Sequence, residues 1–385
     1  MEKLNRGAMS VPKERLVDVL LEKIDEKNQT LAKRDAEYGK DRVRIYSYPE
    51  NIALPGLFGF DMNDYLADPA LALEIELRAK IFWLDNSQAD NNASLDVSVG
   101  TMYYDMTLFG IDIKYQYDGV PLYQPHELME KADMSILRPF DFFKTGEMPA
   151  THRRYEAIRE ISRSLYGGRL AVHFPYFGRG PVDIYINLRG YENFVDDVSE
   201  RPGFARELFG YIVDERYRYN KEAAAFKNEA LPSVGIADDW TYVPFVSPKI
   251  FEEFVMPAYL KIQENEGPVR GFHTCGAYEP FVPTILKNFP AFTGLDVSGW
   301  NDWELLDAMV DPALGFGLGL INTFVLFGSE DEQRQKMKLA AKIARRRPIS
   351  ICAGAIVKAH GTFDESLDRA NRFVTLARDV LREEK

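Results

Sequence analysis

The first clear pattern in the chain is helical. Between residues 11 and 38, apolar residues recur at helical spacing among many charged residues, which predicts an amphipathic helix packed on a larger body. Residues 42–82 are mixed in character and interrupted by three prolines, so their pattern predicts no element clearly. We therefore expect residues 1–75 to form an N-terminal helical extension and residues 76–385 to form the main domain.

From about residue 168 onward, short apolar runs alternate with long helical patterns. The runs predict six strands, each followed by a helix, at residues 170–177, 233–237, 269–272, 292–297, 314–321 and 349–352. This alternation is typical of parallel strands joined by helical crossovers. We expect an α/β fold of the TIM (β/α)8 barrel type, with its two missing units between residues 76 and 165. A doubly wound sheet is the competitor, but no Gly-x-Gly-x-x-Gly turn or phosphate-binding loop supports a nucleotide-binding version.

Composition and charge exclude several classes of protein. The 385 residues include 46% hydrophobic and 28% charged residues, as in an ordinary globular protein, and the net charge is −12. An acidic chain without a basic stripe is unsuited to nucleic acid or to anionic membrane surfaces. No export signal or spanning segment is recognisable, and two cysteines do not make a disulfide scaffold. We expect a cytoplasmic protein, with a homodimer as the default oligomer.

The two cysteines lie where chemistry is expected. Cys275 follows His273 by two residues just past one predicted strand, and Cys352 ends another. Strand ends meet at the active-site mouth of a β/α barrel, and alternate residues of an extended segment share one face. Two thiolates and an imidazole form a catalytic zinc set with an open fourth position. The alternative is that the cysteines are small buried apolar residues and the histidine is a core group.

This spacing resembles the zinc motif of the corrinoid-linked methyltransferases in the uroporphyrinogen decarboxylase superfamily. His273-x-Cys275-Gly276 is followed by Cys352, 77 positions after Cys275. The segments 180–183, 188–190, 196–197 and 247–254 resemble the superfamily as well. The resemblance covers residues 165–385 well and implies a TIM barrel that binds Zn²⁺ through His273, Cys275 and Cys352. It also implies a carboxylate as fourth ligand when substrate is absent, with Asp296 as the candidate and Glu279 as the runner-up.

The resemblance implies methyl transfer that involves a corrinoid (cobalamin). The chain has no Asp-x-His-x-x-Gly segment for cobalamin, so a partner corrinoid protein would carry it. We favour transfer from a small methoxylated substrate, an aryl methyl ether, to Co(I), with zinc as a Lewis acid on the leaving oxygen. The second choice is transfer from methyl-cobalt to a thiol such as coenzyme M, with zinc lowering the thiol pKa. A decarboxylase-like enzyme and a non-catalytic ligand-binding barrel are further alternatives.

Several residues at the predicted strand ends are candidates for substrate contact. Aromatic rings there could sandwich an aromatic methoxy group, and Asp238 or Asp239 could orient a phenolic hydroxyl or a proton. The expected contacts are Tyr176, Phe177, Trp240, Tyr242 and Asn322, with His360 as a weaker candidate for substrate or corrinoid partner. Packing of the rings and capping by the carboxylates are the alternative explanations.

Overall fold

The computed structural model describes residues 6–101, 103–116, 121–356 and 362–384, with only the backbone given for Asn51, Ala355 and Ile356. Within these residues, eight parallel strands form the centre of the molecule. They are β1 (Arg44–Pro49), β2 (Asp96–Ser98), β3 (Ala171–His173), β4 (Val234–Ala237), β5 (Val269–His273), β6 (Gly294–Val297), β7 (Gly315–Gly319) and β8 (Ile349–Ile356). A short antiparallel pair, Ile113–Lys114 with Leu122–Tyr123, lies outside this set.

The hydrogen-bonded strand order follows the chain. One sheet has the order β1-β8-β7-β6, and β4 pairs with β5 and β2 with β3. A single bridge between Arg179 and Ala237 connects the segment after β3 to β4. The parallel α/β fold expected for a TIM barrel is therefore confirmed, and all six strands predicted after residue 168 are present.

Helices separate the strands and cover one face of them. The α-helices are Leu16–Tyr38, Leu54–Phe58, Met62–Ala67, Pro69–Asn86, Tyr104–Thr107, Met148–Tyr166, Pro181–Arg189, Tyr191–Glu200, Pro202–Lys227, Pro248–Ile250, Met256–Glu266, Val282–Asn288, Trp303–Met309, Asn322–Phe327, Glu330–Ala344 and Phe363–Glu383. A π-helical turn, Phe251–Val255, joins the two helices on either side of it. No helix in the described ranges combines the length and hydropathy that crossing a bilayer requires.

The N-terminal region is largely helical, as expected, but it also supplies a strand. β1 begins at Arg44, so only β2 lies in the interval 76–165 where two missing units were predicted, and that placement of the first strand was wrong. Ile45 and Ser47 are buried while Tyr46 and Tyr48 are exposed, which is the two-residue period of a strand. The run is too short and too close to prolines to be distinctive. The domain boundary at residue 75 stays a prediction.

Burial alternates along the strands and leaves space on one side of them. In β6 and β7, Leu295, Val297, Phe316 and Leu318 are buried in the main hydrophobic core. The residues between them are exposed or half-buried, and in β7 these are all glycines. Since glycine has no side chain to fill space, this face of the strands stays open.

A buried carboxylate ties β1 to the helices at both ends of the chain. Asp90 accepts hydrogen bonds from Arg34 (2.8 Å), Arg42 (2.7 Å) and the Ile45 amide (3.0 Å). Arg378 of the last helix lies 3.5 Å from the same carboxylate. Burial alone would raise the pKa of Asp90, but the Arg42 and Ile45 hydrogen bonds hold that pKa below its ordinary value.

We expect Asp90→Asn to destabilise the protein by about 3–5 kcal/mol, because the buried Arg42 and the partly buried Arg34 and Arg378 would lose the counter-charge that they share. Urea unfolding at neutral pH measures the change. Asp41→Asn, at an exposed carboxylate, is the matched control and should change the free energy of unfolding by less than about 0.5 kcal/mol. Equal unfolding midpoints for Asp90→Asn and the control would contradict the role given to this carboxylate.

Candidate metal centre

Four potential ligand residues come from three adjacent strands. His273 is the last residue of β5, and Cys275 follows in the loop. Asp239 lies two residues past β4, and Asp296 is on β6. Because Ala237 pairs with His273 in the β4–β5 ladder, the loop after β4 begins beside the imidazole. The parallel arrangement therefore gathers these side chains at the carboxyl end of the strands.

The imidazole of His273 has a carboxylate near each ring nitrogen. Nδ1 lies 2.7 Å from Asp296 Oδ2, and Nε2 lies 3.5 Å from Asp239 Oδ1 and 3.7 Å from Cys275 Sγ. Ligand bond lengths typical of tetrahedral zinc imply separations of about 3.4–3.6 Å between such atoms. The ligand atoms of Asp239, His273 and Cys275 all lie within 4.8 Å of one another, the one such group in the described part of the chain. These three residues fit a zinc ion.

Asp296 has the position of an outer partner to a metal ligand. It was predicted as the fourth ligand, whereas its hydrogen bond to Nδ1 directs Nε2 toward Asp239 and Cys275. A carboxylate on the distal ring nitrogen is how metal-binding histidines are commonly oriented. Glu279, the runner-up, accepts a hydrogen bond from the Asp302 amide at 2.5 Å. The structure thus offers Asp239 as the carboxylate that groups with His273 Nε2 and Cys275 Sγ.

The acidic surroundings strongly change proton binding at the centre. The hydrogen bond with Asp296, followed by that with Cys275, raises the pKa of His273 to about 10. For Cys275, the His273 hydrogen bond lowers the thiol pKa, but burial and the Asp239 charge outweigh it and the net pKa is raised. Without metal, both groups hold their protons at neutral pH. A metal ion would displace these protons on binding.

Cys352 lies at the same end of the strands but outside the close group. In the ladders it is opposite Tyr46 of β1 and Gly319 of β7, and β6 and β7 separate it from β5. Burial raises the pKa of its thiol; the Asp296 carboxylate also raises this pKa and the His273 imidazole lowers it, so these groups are within electrostatic range. Cys352 as a ligand stays a prediction.

Tyr48 is a residue of this region that the sequence analysis missed. Burial, followed by the interaction with Cys352, raises the pKa of the Tyr48 hydroxyl to about 12. Its hydroxyl and the Cys352 thiol are hydrogen-bonding partners. The sequence offered no distinctive signal for it, because the buried positions of β1 combine an apolar residue, Ile45, with a polar one, Ser47.

Asp238 has a structural position that differs from the expected contact with substrate. Its side chain is fully buried and accepts hydrogen bonds from the Val182 and Asp183 amides and from the Tyr259 hydroxyl, at 3.1, 2.8 and 2.8 Å. A Cβ atom at Gly180 would lie 2.2 Å from this carboxylate, so only glycine fits there. Asp238 thus anchors the first turn of the helix Pro181–Arg189 and is not available to orient a ligand.

A cavity of about 450 Å³ opens beside the centre. His273 and Asp296 lie on its wall, together with Tyr176 and Phe177 of the predicted substrate contacts. Small residues of the neighbouring strands and loops make room for it, namely Gly178, Gly235, Ala237 and Gly271. Phe177 is only 2% exposed and packs against Phe109 and Tyr219, so it contributes an edge of its ring at most. A small organic molecule could therefore lie next to His273.

The other predicted contacts are placed around the mouth but outside this cavity lining. Trp240 stacks on Tyr191 with ring centroids 6.2 Å apart. The Tyr242 ring lies 2.1 Å from where a Cβ at Gly276 would be, which explains the glycine after Cys275. Asn322 begins the helix Asn322–Phe327, with its amide oxygen close to Gly354. His360 lies outside the described residues.

We expect Asp296→Asn to bring the pKa of His273 down from about 10 toward the ordinary value of 6.5, because the largest interaction that raises it is lost. NMR titration of metal-free protein measures this change. The His126 signal is an internal control, since burial lowers its pKa independently of Asp296. Stability contributed by the protonated imidazole is present below pH 6.5 and is lost as the pH rises through about 10. An unchanged His273 titration would contradict the assigned pairing.

Comparisons with known proteins agree with this architecture. A solved methyltransferase from Methanosarcina mazei is similar in structure, with a TM-score of 0.60 and 16% sequence identity over 88% of this chain and 94% of that chain. At that identity the likeness shows a shared fold. No curated protein matches by sequence. The profile of the family described as uroporphyrinogen decarboxylase (URO-D) matches residues 60–351, which confirms the resemblance at the level of the superfamily. The chain belongs to the uroporphyrinogen decarboxylase family.

Proposed function

We propose that this protein is a zinc-dependent methyltransferase that moves a methyl group from a small methoxylated compound, an aryl methyl ether, to the Co(I) corrinoid of a partner protein. The observation that carries the proposal is the close group of Asp239, His273 and Cys275 beside the 450 Å³ cavity. The family membership supports the scaffold but does not choose among its chemistries.

The residues present suit a zinc ion in composition as well as in spacing. Asp239, His273 Nε2 and Cys275 would hold it, and the fourth position would take the substrate oxygen. Cys352, the ligand expected from the sequence, would enter only in place of Asp239. When bound, zinc would supply Lewis acidity toward the oxygen of the substrate. One thiolate and one carboxylate balance its charge, and a carboxylate oxygen is a harder donor than a second sulfur. This donor set favours an oxygen-containing methyl donor.

The chain itself would orient the substrate. The cavity next to His273 would hold the methoxy compound, with the Tyr176 ring and the edge of Phe177 on one side. Asp296 would keep the imidazole in one tautomer and orientation. In the reaction the methyl–oxygen bond breaks, the oxygen keeps its electron pair, and the methyl carbon bonds to Co(I).

An exposed ring at the mouth suits the approach of the corrinoid partner. Trp300 follows β6 and is 63% exposed, and its amide is held by Ser298. Large exposed aromatic side chains are enriched at protein interfaces. We infer that Trp300 contacts the incoming corrinoid protein.

The second candidate is methyl transfer from methyl-cobalt to a thiol. The presence of Cys275 Sγ among the proposed ligands, 3.7 Å from His273 Nε2, favours it, because a thiolate ligand makes zinc softer and better suited to a thiol substrate. In that direction the thiol loses its proton to solvent, its sulfur forms the bond to the methyl carbon, and the methyl–cobalt bond breaks with its electron pair left on Co(I). The same ligands would serve both directions.

We expect purified protein supplied with zinc to hold about one equivalent. Cys275→Ser and Asp239→Asn should each weaken zinc binding by about 100-fold or more, whereas Asp296→Asn should weaken it about 10–100-fold as an outer-shell change. Competition with a chromophoric chelator measures the affinities. Asp25→Asn, at an exposed helix position, is the control. Retention of wild-type affinity by Cys275→Ser would overturn the metal centre.

We expect methyl-cobalt to form when the protein is mixed with Co(I) cobalamin and a methoxyarene. The absorbance spectrum of the corrinoid reports the product, and Cys275→Ser should lower the rate by about 100-fold or more, as loss of a metal ligand predicts. Methoxyarenes, methanol and methylamines form the substrate panel, and Asp25→Asn is again the control. If no compound of the panel forms methyl-cobalt, and a thiol instead consumes added methyl-cobalt, the second candidate would be favoured. No activity in either direction would support a binding barrel.

A further inference from the structure

A second cavity lies beneath the N-terminal helices, at the carboxyl ends of β1 and β2. Its volume is about 150 Å³, and it shares no lining residue with the cavity beside His273. Leu54, Phe60 and Leu66 form apolar parts of its wall. An apolar cavity of this volume accepts a ligand the size of benzene, so there is room for about six non-hydrogen atoms.

The polar wall of this cavity presents hydrogen-bond acceptors. The Tyr65 hydroxyl donates to Glu76 Oε1 at 2.6 Å. The hydroxyls of Thr101 and Tyr115 donate to the two oxygens of Glu147, at 2.7 and 2.9 Å. Each hydroxyl has a single proton, and all three protons are directed at carboxylates. The groups left to bind a ligand are hydrogen-bond acceptors: the lone pairs of the hydroxyl oxygens and the carboxyl group of Glu76, which also lines the cavity.

The charge around the cavity is negative. Arg154 is the nearby buried cation, and it donates to the carbonyl oxygens of Val99 and Leu66. Lys80 is paired with Asp96 at 2.7 Å. Two carboxylates, Glu76 and Glu147, against the one remaining guanidinium leave one negative charge among these described groups. Burial raises the pKa of Glu76, so a bound cation would relieve the cost of ionising this carboxyl group.

We propose that this cavity is a binding site for a small alkylammonium ion. The N–H groups of the ligand would donate to Glu76 and to the hydroxyl oxygens, and its alkyl groups would contact the apolar wall. Phe60 and Tyr65 line the cavity, and aromatic rings attract organic cations. A neutral alcohol of the same shape would gain the apolar contacts but not the charge interaction. The site is independent of the proposed methyl transfer.

Two small ligands of equal size, one charged and one neutral, distinguish the effect of ligand charge on affinity from the effect of ligand shape. Titration calorimetry at low salt would compare tert-butylammonium with tert-butanol, and we expect the ammonium ion to bind at least about tenfold more tightly. Glu76→Gln should remove this preference. Glu156→Gln, at an exposed position on the helix Met148–Tyr166, is the matched control and should retain it. His273→Ala should also retain it, because His273 belongs to the other cavity.

A spectroscopic readout on unmutated protein locates the ligand. Met62 lines the cavity, and its methyl signal in protein labelled with ¹³C-methyl methionine is identified by its loss in Met62→Leu. We expect tert-butylammonium to shift this signal at the concentrations that saturate the calorimetric titration. Equal or tighter binding of tert-butanol, an unshifted Met62 signal, or an unchanged preference in folded Glu76→Gln would each overturn the proposal. The Met62 readout remains decisive if Glu76→Gln does not fold.

Discussion

The chemistry at the mouth of the strands depends on the contacts of a single imidazole. His273 Nδ1 is held by Asp296 at 2.7 Å, and Nε2 faces Asp239 and Cys275. Because the ring is fixed from the β6 side, its second nitrogen is directed toward the loop that follows β4. Loss of the Asp296 contact would free the ring to rotate, and the three potential donors would no longer converge.

The two faces of the strands differ, and this difference keeps the contacts of His273 in place. One face packs large apolar residues such as Leu295 and Phe316 against the helices. The other face carries glycine or small residues, including Gly235 and Gly271, and leaves a cavity next to His273. The scaffold thus combines a rigid core with open space at the reactive end. The hydrogen bond from the Ile45 amide to Asp90 fixes β1 to this core, and β1 supplies Tyr48 beside Cys352.

Two cavities beside the strands have different chemistry. The larger one places the nitrogen and carboxylate groups of His273 and Asp296 on its wall, which suits metal-assisted chemistry. The smaller one combines apolar residues with hydroxyls whose protons are committed to carboxylates, which suits a cationic donor. In both cavities, carboxylates hold the polar side chains of the wall and fix which of their atoms donate or accept hydrogen bonds. The chemistry of each cavity therefore depends on these supporting carboxylates.

The sequence by itself determined the features that depend on local periodicity. Alternation of apolar runs and helices indicated the six later strands, and the two-residue period placed His273 and Cys275 on one face. Only the tertiary structure decided which distant groups meet. It placed Asp239 rather than Cys352 in the close group and buried Asp238, although these two aspartates are neighbours in the chain. The physical reason is that side-chain direction follows from a few residues of backbone, whereas distances between strand ends depend on strand order, loop paths and packing across the whole sheet.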